Sequence, residues 1–341
     1  MDGRKAYTPD YYRMYESEVR ESANALVPLM LELVRPRSVV DVGCGIGVWL
    51  AAFMEHGIGE VLGVDGDWID RSSLQIPEDA FLAWDLTEPL RLDREFDLVV
   101  SLEVAEHLPE DCADTFVDTL TGLGEVVLFS AAIPFQGGRN HLNEQWQDYW
   151  VSKFQSKGFA ALDCVRPRLW SRQEVAWPYV QNTLVFVTQN TLETHQILRE
   201  ELSRTNPSQY SIVHPRKYLD AIENLKGWIT ALEQAASCLV EVIPRGETFV
   251  MVDDEKLGSV LPDGRQSMRF LEKGGHGSVP SDDAAAIAEL ARLQSTGAKF
   301  LVFGWPSFWW FDYYPGFYRH VKAEFRCVVD SDELKIFALR S

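Results

Sequence analysis

The chain has 341 residues, of which 46% are hydrophobic, and 51 acidic against 32 basic side chains give a net charge of −19. That length allows one large domain plus a smaller one, while the acidic balance argues against broad nucleic-acid binding, which rests on neutralising phosphates. No apolar run approaches a bilayer span, "MDGRKAYTPDYYRMY" shows no signal pattern, and Cys44, Cys112, Cys164, Cys238 and Cys327 lack paired spacing, so a cytoplasmic protein with reduced thiols is expected.

From residue 38 short apolar runs alternate with helical patterns. "SVVDVG", "EVLGVDG", "AFLAWDL", "FDLVVSL" and "EVVLFSA" read as strands, and "GVWLAAFMEHG" and a stretch near 112–123 read as helices. Such alternation predicts a parallel sheet covered on both faces. A helix around "NEQWQDYWVSKFQSKG" and the strands "FAALDCV" and "QNTLVFVT" then close a first domain at 1–190. Residues 191–243 read as a helical linker, in which Ile222, Leu225, Ile229, Leu232, Ala236 and Leu239 follow heptad spacing. Packing between domains suits so short a seam better than a dimer. The remainder, 244–341, reads as a smaller α/β domain with strands "TFVMVDD", "KFLVFGW" and "ELKIFALR" and helices in "SDDAAAIAELARLQSTG" and "YPGFYRHVKAEF". Its aromatic run "WPSFWWFDYYPGF" suits core packing ahead of a sugar platform.

"VVDVGCGIGVWL" is strand, tight loop and helix, with Gly43, Gly45 and Gly47 allowing a sharp turn and close ligand approach. A dinucleotide fingerprint would need glycine where Val48 stands, and Asp41 would repel a pyrophosphate. A carboxylate there suits a cationic ligand instead. The loop, the acid ending the second strand (Asp65) and the pair ending the third (Trp84, Asp85) resemble class I S-adenosylmethionine-dependent methyltransferases in order and spacing. The resemblance spans roughly residues 10–190 and implies a Rossmann-like, mostly parallel seven-stranded sheet with helices on both faces. It further implies that Asp41, Gly43, Cys44 and Gly45 hold the methionine end of the cofactor. Asp65 would take the ribose hydroxyls and Asp85 would accept from the adenine amino group, with Gly66, Trp84 and Ser101 as further cofactor-binding residues. A nicotinamide-dependent dehydrogenase is the distant second reading.

After the fourth strand comes "SLEVAEHLPE" (101–110), where helical spacing would put Glu103, Glu106 and His107 on one face. The loop after the fifth strand, "AAIPFQGGRNHLNEQW", opens at the same sheet end and carries His141. Mixed carboxylate and imidazole groups suit Mg²⁺ or Mn²⁺ with positions open for substrate oxygens. E-x-x-E-H plus a later histidine resembles the metal-dependent O-methyltransferases, among them small-RNA 2′-O-methyltransferases. That likeness implies Glu103, Glu106, His107 and His141 as ligands, with His107 or His141 as general base where not a ligand. The alternative is a helix start lining the cofactor with no metal.

"GGRNHLNEQWQDYW" and "VRPRLWSRQEVAWPYVQN" are similar to methyltransferases of bacterial surface-polysaccharide synthesis. This points to a sugar hydroxyl of a glycan or nucleotide-linked sugar, with Arg139, Asn140, Arg166 and Arg168 as candidate substrate contacts. An RNA end, a catechol-like small molecule and a non-catalytic cofactor-fold scaffold are the alternatives. The C-terminal domain is expected to mediate a homodimer or contact with a partner enzyme.

Overall fold

A computed structural model describes residues 9–253, 257, 265–270 and 279–339. The chain divides into two compact units, one through Leu219 and one from Asp220. Residues 191–219, expected in a linker, thus pack with the first unit. Tyr210 is buried in its core, and Thr205 Oγ1 accepts the Asp163 N–H at 3.0 Å.

In the first unit seven strands form one sheet: β1 (Ser38–Val42), β2 (Glu60–Asp65), β3 (Phe81–Ala83), β4 (Leu98–Leu102), β5 (Val126–Ser130), β6 (Phe159–Leu162) and β7 (Leu184–Thr188). Their spatial order is β3-β2-β1-β4-β5-β7-β6. The first five are parallel, and β7 is antiparallel to both β5 and β6. This is the Rossmann-like sheet that the resemblance implies. Strand β1 is buried along its length, and its period of two sends neighbouring residues to opposite faces. Val39 packs with Leu26, Met30, Leu50 and Phe53 from helices Pro9–Leu33 and Val48–Glu55. Val40 and Val42 pack with Phe116, Leu120, Trp150 and Phe154 from helices Ala113–Leu123 and Gln147–Ser156. With both faces covered, the open place is the rim at the carboxyl ends of β1 and β4, where the strand order reverses.

The second unit has its own sheet, ordered β11-β12-β10-β8-β9. Its strands are β8 (Thr248–Val252), β9 (Gln266–Arg269), β10 (Phe300–Gly304), β11 (Arg326–Asp330) and β12 (Leu334–Ala338). The sequence reading missed β9 and β11. Both are edge strands, and "QSMR" and "RCVVD" lack the apolar alternation of a half-buried strand. The aromatic run fills the core, as Trp310, Tyr314 and Phe317 are buried with Phe303 and Phe337. The heptad-spaced residues lie on the helix Pro215–Val242, where Leu239 is buried while Leu225 and Ile229 are exposed. Among the described residues, no helix is long and apolar enough to cross a membrane.

Candidate active site

The loop after β1 takes three left-handed turns in succession, with φ of 88° at Gly43, 53° at Gly45 and 85° at Gly47. An added Cβ on Gly43 would stand 2.4 Å from Val104, so glycine is needed there for space as well as conformation. Asp65 holds this loop: its carboxylate accepts the Gly45 N–H at 2.7 Å and the Gly66 N–H at 2.6 Å. Burial pushes the Asp65 carboxyl up to about 6, against the pull of those two bonds. Asp41, the penultimate residue of β1, is buried, and its Oδ2 has no hydrogen-bond partner. Burial first, and the Asp65 charge second, raise its pKa well above the usual carboxylate range.

The segment after β4 is not the helix face expected from spacing. Glu103 is left-handed, with φ 55°, and only a single 3₁₀ turn follows at Ala105–His107. Tight packing of Val104 against the Gly43 loop accompanies this abrupt turn. The Glu103 N–H bonds to the Ser130 carbonyl at 3.0 Å, and its carboxylate accepts from Gln136 at 2.6 Å and Asn182 at 3.1 Å. The Glu106 carbonyl accepts the N–H groups of Leu142 at 2.7 Å and Asn143 at 3.0 Å. That pairing lays the loop after β5 against the 3₁₀ turn. Glu106, His107 and His141 then converge, with potential ligand atoms all within 4.8 Å of one another. Glu103 is not one of the three.

Glu106 is almost wholly buried, its Oε2 has no partner, and burial and then the Glu103 charge raise its pKa well above normal. Burial and then the charge of His141 press the His107 pKa down to about 4, outweighing backbone hydrogen bonds at Asn140 and Arg139. His107 is therefore neutral near pH 7. These groups open into a cavity of about 430 Å³ whose wall also includes Tyr15, Glu18, Trp49, Trp177 and Tyr179.

Residues 15–156 match a family model described as a methyltransferase domain. That stretch lies wholly within the first unit. Among solved structures the chain is similar to a Nostoc punctiforme protein provisionally described as an O-methyltransferase, with 16% identity over 49% of this chain and 55% of that one, TM-score 0.37. It is also similar to the methyltransferase domain of bacterial CtHen1, with 16% identity over 50% of this chain and 98% of that one, TM-score 0.38. Streptomyces venezuelae DesVI shares 15% identity over 55% of this chain and 99% of its own, TM-score 0.40. No protein of curated function matches the sequence.

The cavity suits S-adenosylmethionine, the cofactor that the resemblance implies: the unpartnered Asp41 Oδ2 matches an ammonium group, and the glycine-rich loop allows close approach. Of the cofactor residues expected from sequence, Asp41, Gly43, Cys44 and Gly45 line the cavity, whereas Asp65, Gly66, Trp84, Asp85 and Ser101 do not. Asp65 keeps lone pairs beyond its two backbone bonds. Gly66 lies under the Trp68 ring. Asp85 is exposed and accepts from Thr87 N and Oγ1 at 3.0 and 2.7 Å, while Trp84 Nε1 donates to the Glu88 carbonyl at 3.2 Å. Ser101 is buried, with its hydroxyl unpartnered.

Two of the substrate arginines were misplaced by sequence reasoning. Arg166 is buried, bidentate to Asp163 with both contacts at 2.8 Å, and donates to the carbonyls of Tyr210 at 2.6 Å and Gln209 at 2.9 Å. Arg168 pairs with Glu201 at 2.8 and 2.9 Å. Both therefore hold the 163–210 region together. Arg139 does line the cavity, whereas Asn140, left-handed at φ 58°, is not among its lining residues. Sequence reasoning missed Gln136, Asn182, Tyr179 and Glu144. Only Glu144 carried a signal, an acid three residues after His141.

Proposed function

We propose that this chain transfers the methyl group of S-adenosylmethionine to a sugar hydroxyl of a glycan or nucleotide-linked sugar, assisted by Mg²⁺ or Mn²⁺. The observation that carries this reading is the convergence of Glu106, His107 and His141 in the same cavity wall as Asp41. The unpartnered Glu106 Oε2 and the neutral His107 form a donor set that suits a divalent ion.

Asp41 would hold the cofactor ammonium group. Glu106, His107 and His141 would hold the cation, with Glu103 adding negative charge beside them. When bound, the cation would lower the pKa of an acceptor hydroxyl, as it does for water, from about 15.7 to about 7 in favourable sites. An imidazole left uncoordinated would hold the acceptor proton at its free ring nitrogen. Trp49, Trp177 and Tyr179 present rings on the wall, amphipathic surfaces suited to an apolar sugar face. Among the described lining residues, Arg139 is the one arginine against Glu16, Glu18, Asp41, Glu103 and Glu106. That balance favours a glycan hydroxyl over the phosphates of an RNA end and, of the two sugar acceptors, a neutral glycan over a nucleotide-linked sugar.

The test is Mn²⁺ titrated into the complex with S-adenosylhomocysteine. A Mn²⁺ site is expected that is lost in Glu106→Ala and in His141→Ala, with nucleoside affinity held within about twofold. Indifference of Mn²⁺ binding to both substitutions removes the metal from the reading. Methyl label from S-adenosylmethionine should enter polysaccharide rather than RNA, and the reverse result would reassign the acceptor.

A further inference from the structure

His141 reaches the cavity from a loop that should not hold its shape unaided. Phe135 is left-handed at φ 64° and 91% exposed, and Gly137 and Asn140 are left-handed too. A non-glycine residue in that conformation is strained and persists only where its surroundings enforce it. Glu144 supplies the enforcement. Its Oε2 accepts the Phe135 N–H at 2.7 Å, and its Oε1 accepts the Gly137 N–H at 2.8 Å. The same Oε1 lies 2.8 Å from His141 Nδ1, and both side chains are largely withdrawn from solvent, at 12% and 20% exposure.

An ionised carboxylate only accepts hydrogen bonds, so the proton of that contact belongs to Nδ1. In a neutral imidazole Nε2 then carries the lone pair. The other ring edge is gauged by Gly138, where an added Cβ would stand 2.1 Å from His141 Nε2. The ring is thus oriented from both sides, by a carboxylate at Nδ1 and by a missing side chain at Nε2.

We propose that Glu144 is the positioning residue of this site: it fixes His141 as the Nδ1–H tautomer and so leaves Nε2 as the donor atom. The consequence for cation affinity rests on the metal-assisted reading above, but the tautomer does not. Carboxylate–imidazole pairs behind a metal ligand are conventionally worth ten- to hundredfold in metal affinity. Glu144 touches neither substrate nor cofactor in this role and acts through His141.

The experiment uses the full-length protein, labelled with ¹⁵N in its histidine rings, at a pH where the imidazoles are neutral, with His141 assigned from His141→Gln. Long-range ¹H–¹⁵N correlations should show His141 as Nδ1–H in the wild type. Glu144→Ala should move it toward Nε2–H and weaken Mn²⁺ binding by about ten- to hundredfold. Glu144→Gln, whose amide oxygen can still accept from Nδ1–H, should keep the tautomer. Gly138→Ala should weaken Mn²⁺ binding while leaving Glu144 in place. A role confined to loop stability would lower the melting temperature without changing the tautomer. An Nε2–H tautomer in the wild type, or one unchanged in Glu144→Ala, overturns the proposal. If the wild type binds no Mn²⁺ yet the tautomer follows Glu144, the positioning role stands and the metal reading falls.

Discussion

Gly43 and Val104 touch so closely that a Cβ on Gly43 would sit 2.4 Å from Val104 Cγ2. Gly43 opens the cofactor loop, and Val104 joins Glu103 to the turn that bears Glu106 and His107. The two functional segments are therefore packed against one another through a residue pair with no chemistry of its own. Gly43→Ala should cost about 2–4 kcal/mol, from a left-handed backbone and overpacking together. Val104→Ala should relieve the crowding but not the backbone strain, so the double variant should recover only part of the loss. Urea unfolding of the two single variants and the double variant measures this, and full recovery would show that φ strain is absent.

Asp41 sets a proton balance for cofactor binding. Its carboxyl is held well above the normal range by burial, and an ammonium group favours the charged form. Binding should therefore lower the pKa of Asp41 and release a proton where the free protein still carries it. Affinity for S-adenosylmethionine should rise as pH rises through that window. Calorimetry in buffers of different ionisation heat reads the proton directly, and uptake instead of release would contradict the assignment.

Asp65 makes a separate contribution to stability in the ligand-free protein. Its folded pKa, about 6, lies above the ordinary aspartate value of 3.8, so between those values the folded state binds the extra proton. Stability should thus fall as pH rises through that window, by about 3 kcal/mol from this group at about 1.36 kcal/mol per pK unit. The unfolding free energy of Asp65→Asn should lack this dependence. Identical pH profiles for variant and wild type would mean that Asp65 titrates normally.

Arg166 and Arg139 should separate cleanly. Arg166→Ala leaves Asp163, 13% exposed, without its buried partner and should cost about 3–5 kcal/mol. Arg139 is exposed on the cavity wall, and Arg139→Ala should change stability by less than about 0.5 kcal/mol. Thermal unfolding of both variants checks the contrast, and equal losses would mean that the Arg166–Asp163 pair does not hold the fold together.

The sequence by itself determined the strand–helix order and the glycine loop, because each is a local property. The short, wholly buried run of β1 and the left-handed demand at Gly43 and Gly45 act within a few residues. The same locality explains the failures. The spacing of Glu103, Glu106 and His107 suggested a helix face, but packing of Val104 on Gly43 and bonds from Glu103 to Ser130 accompany a left-handed residue and one 3₁₀ turn instead. Arg166 and Arg168 read as substrate contacts because nothing nearby in sequence shows that residues 201–210 supply their other acceptors. Only the tertiary structure decided that His141 joins Glu106 and His107, since this depends on the Glu106 carbonyl capturing two N–H groups from a loop on the neighbouring strand. Charge and residue type are written in the chain, but convergence is fixed by backbone pairing between segments far apart along it.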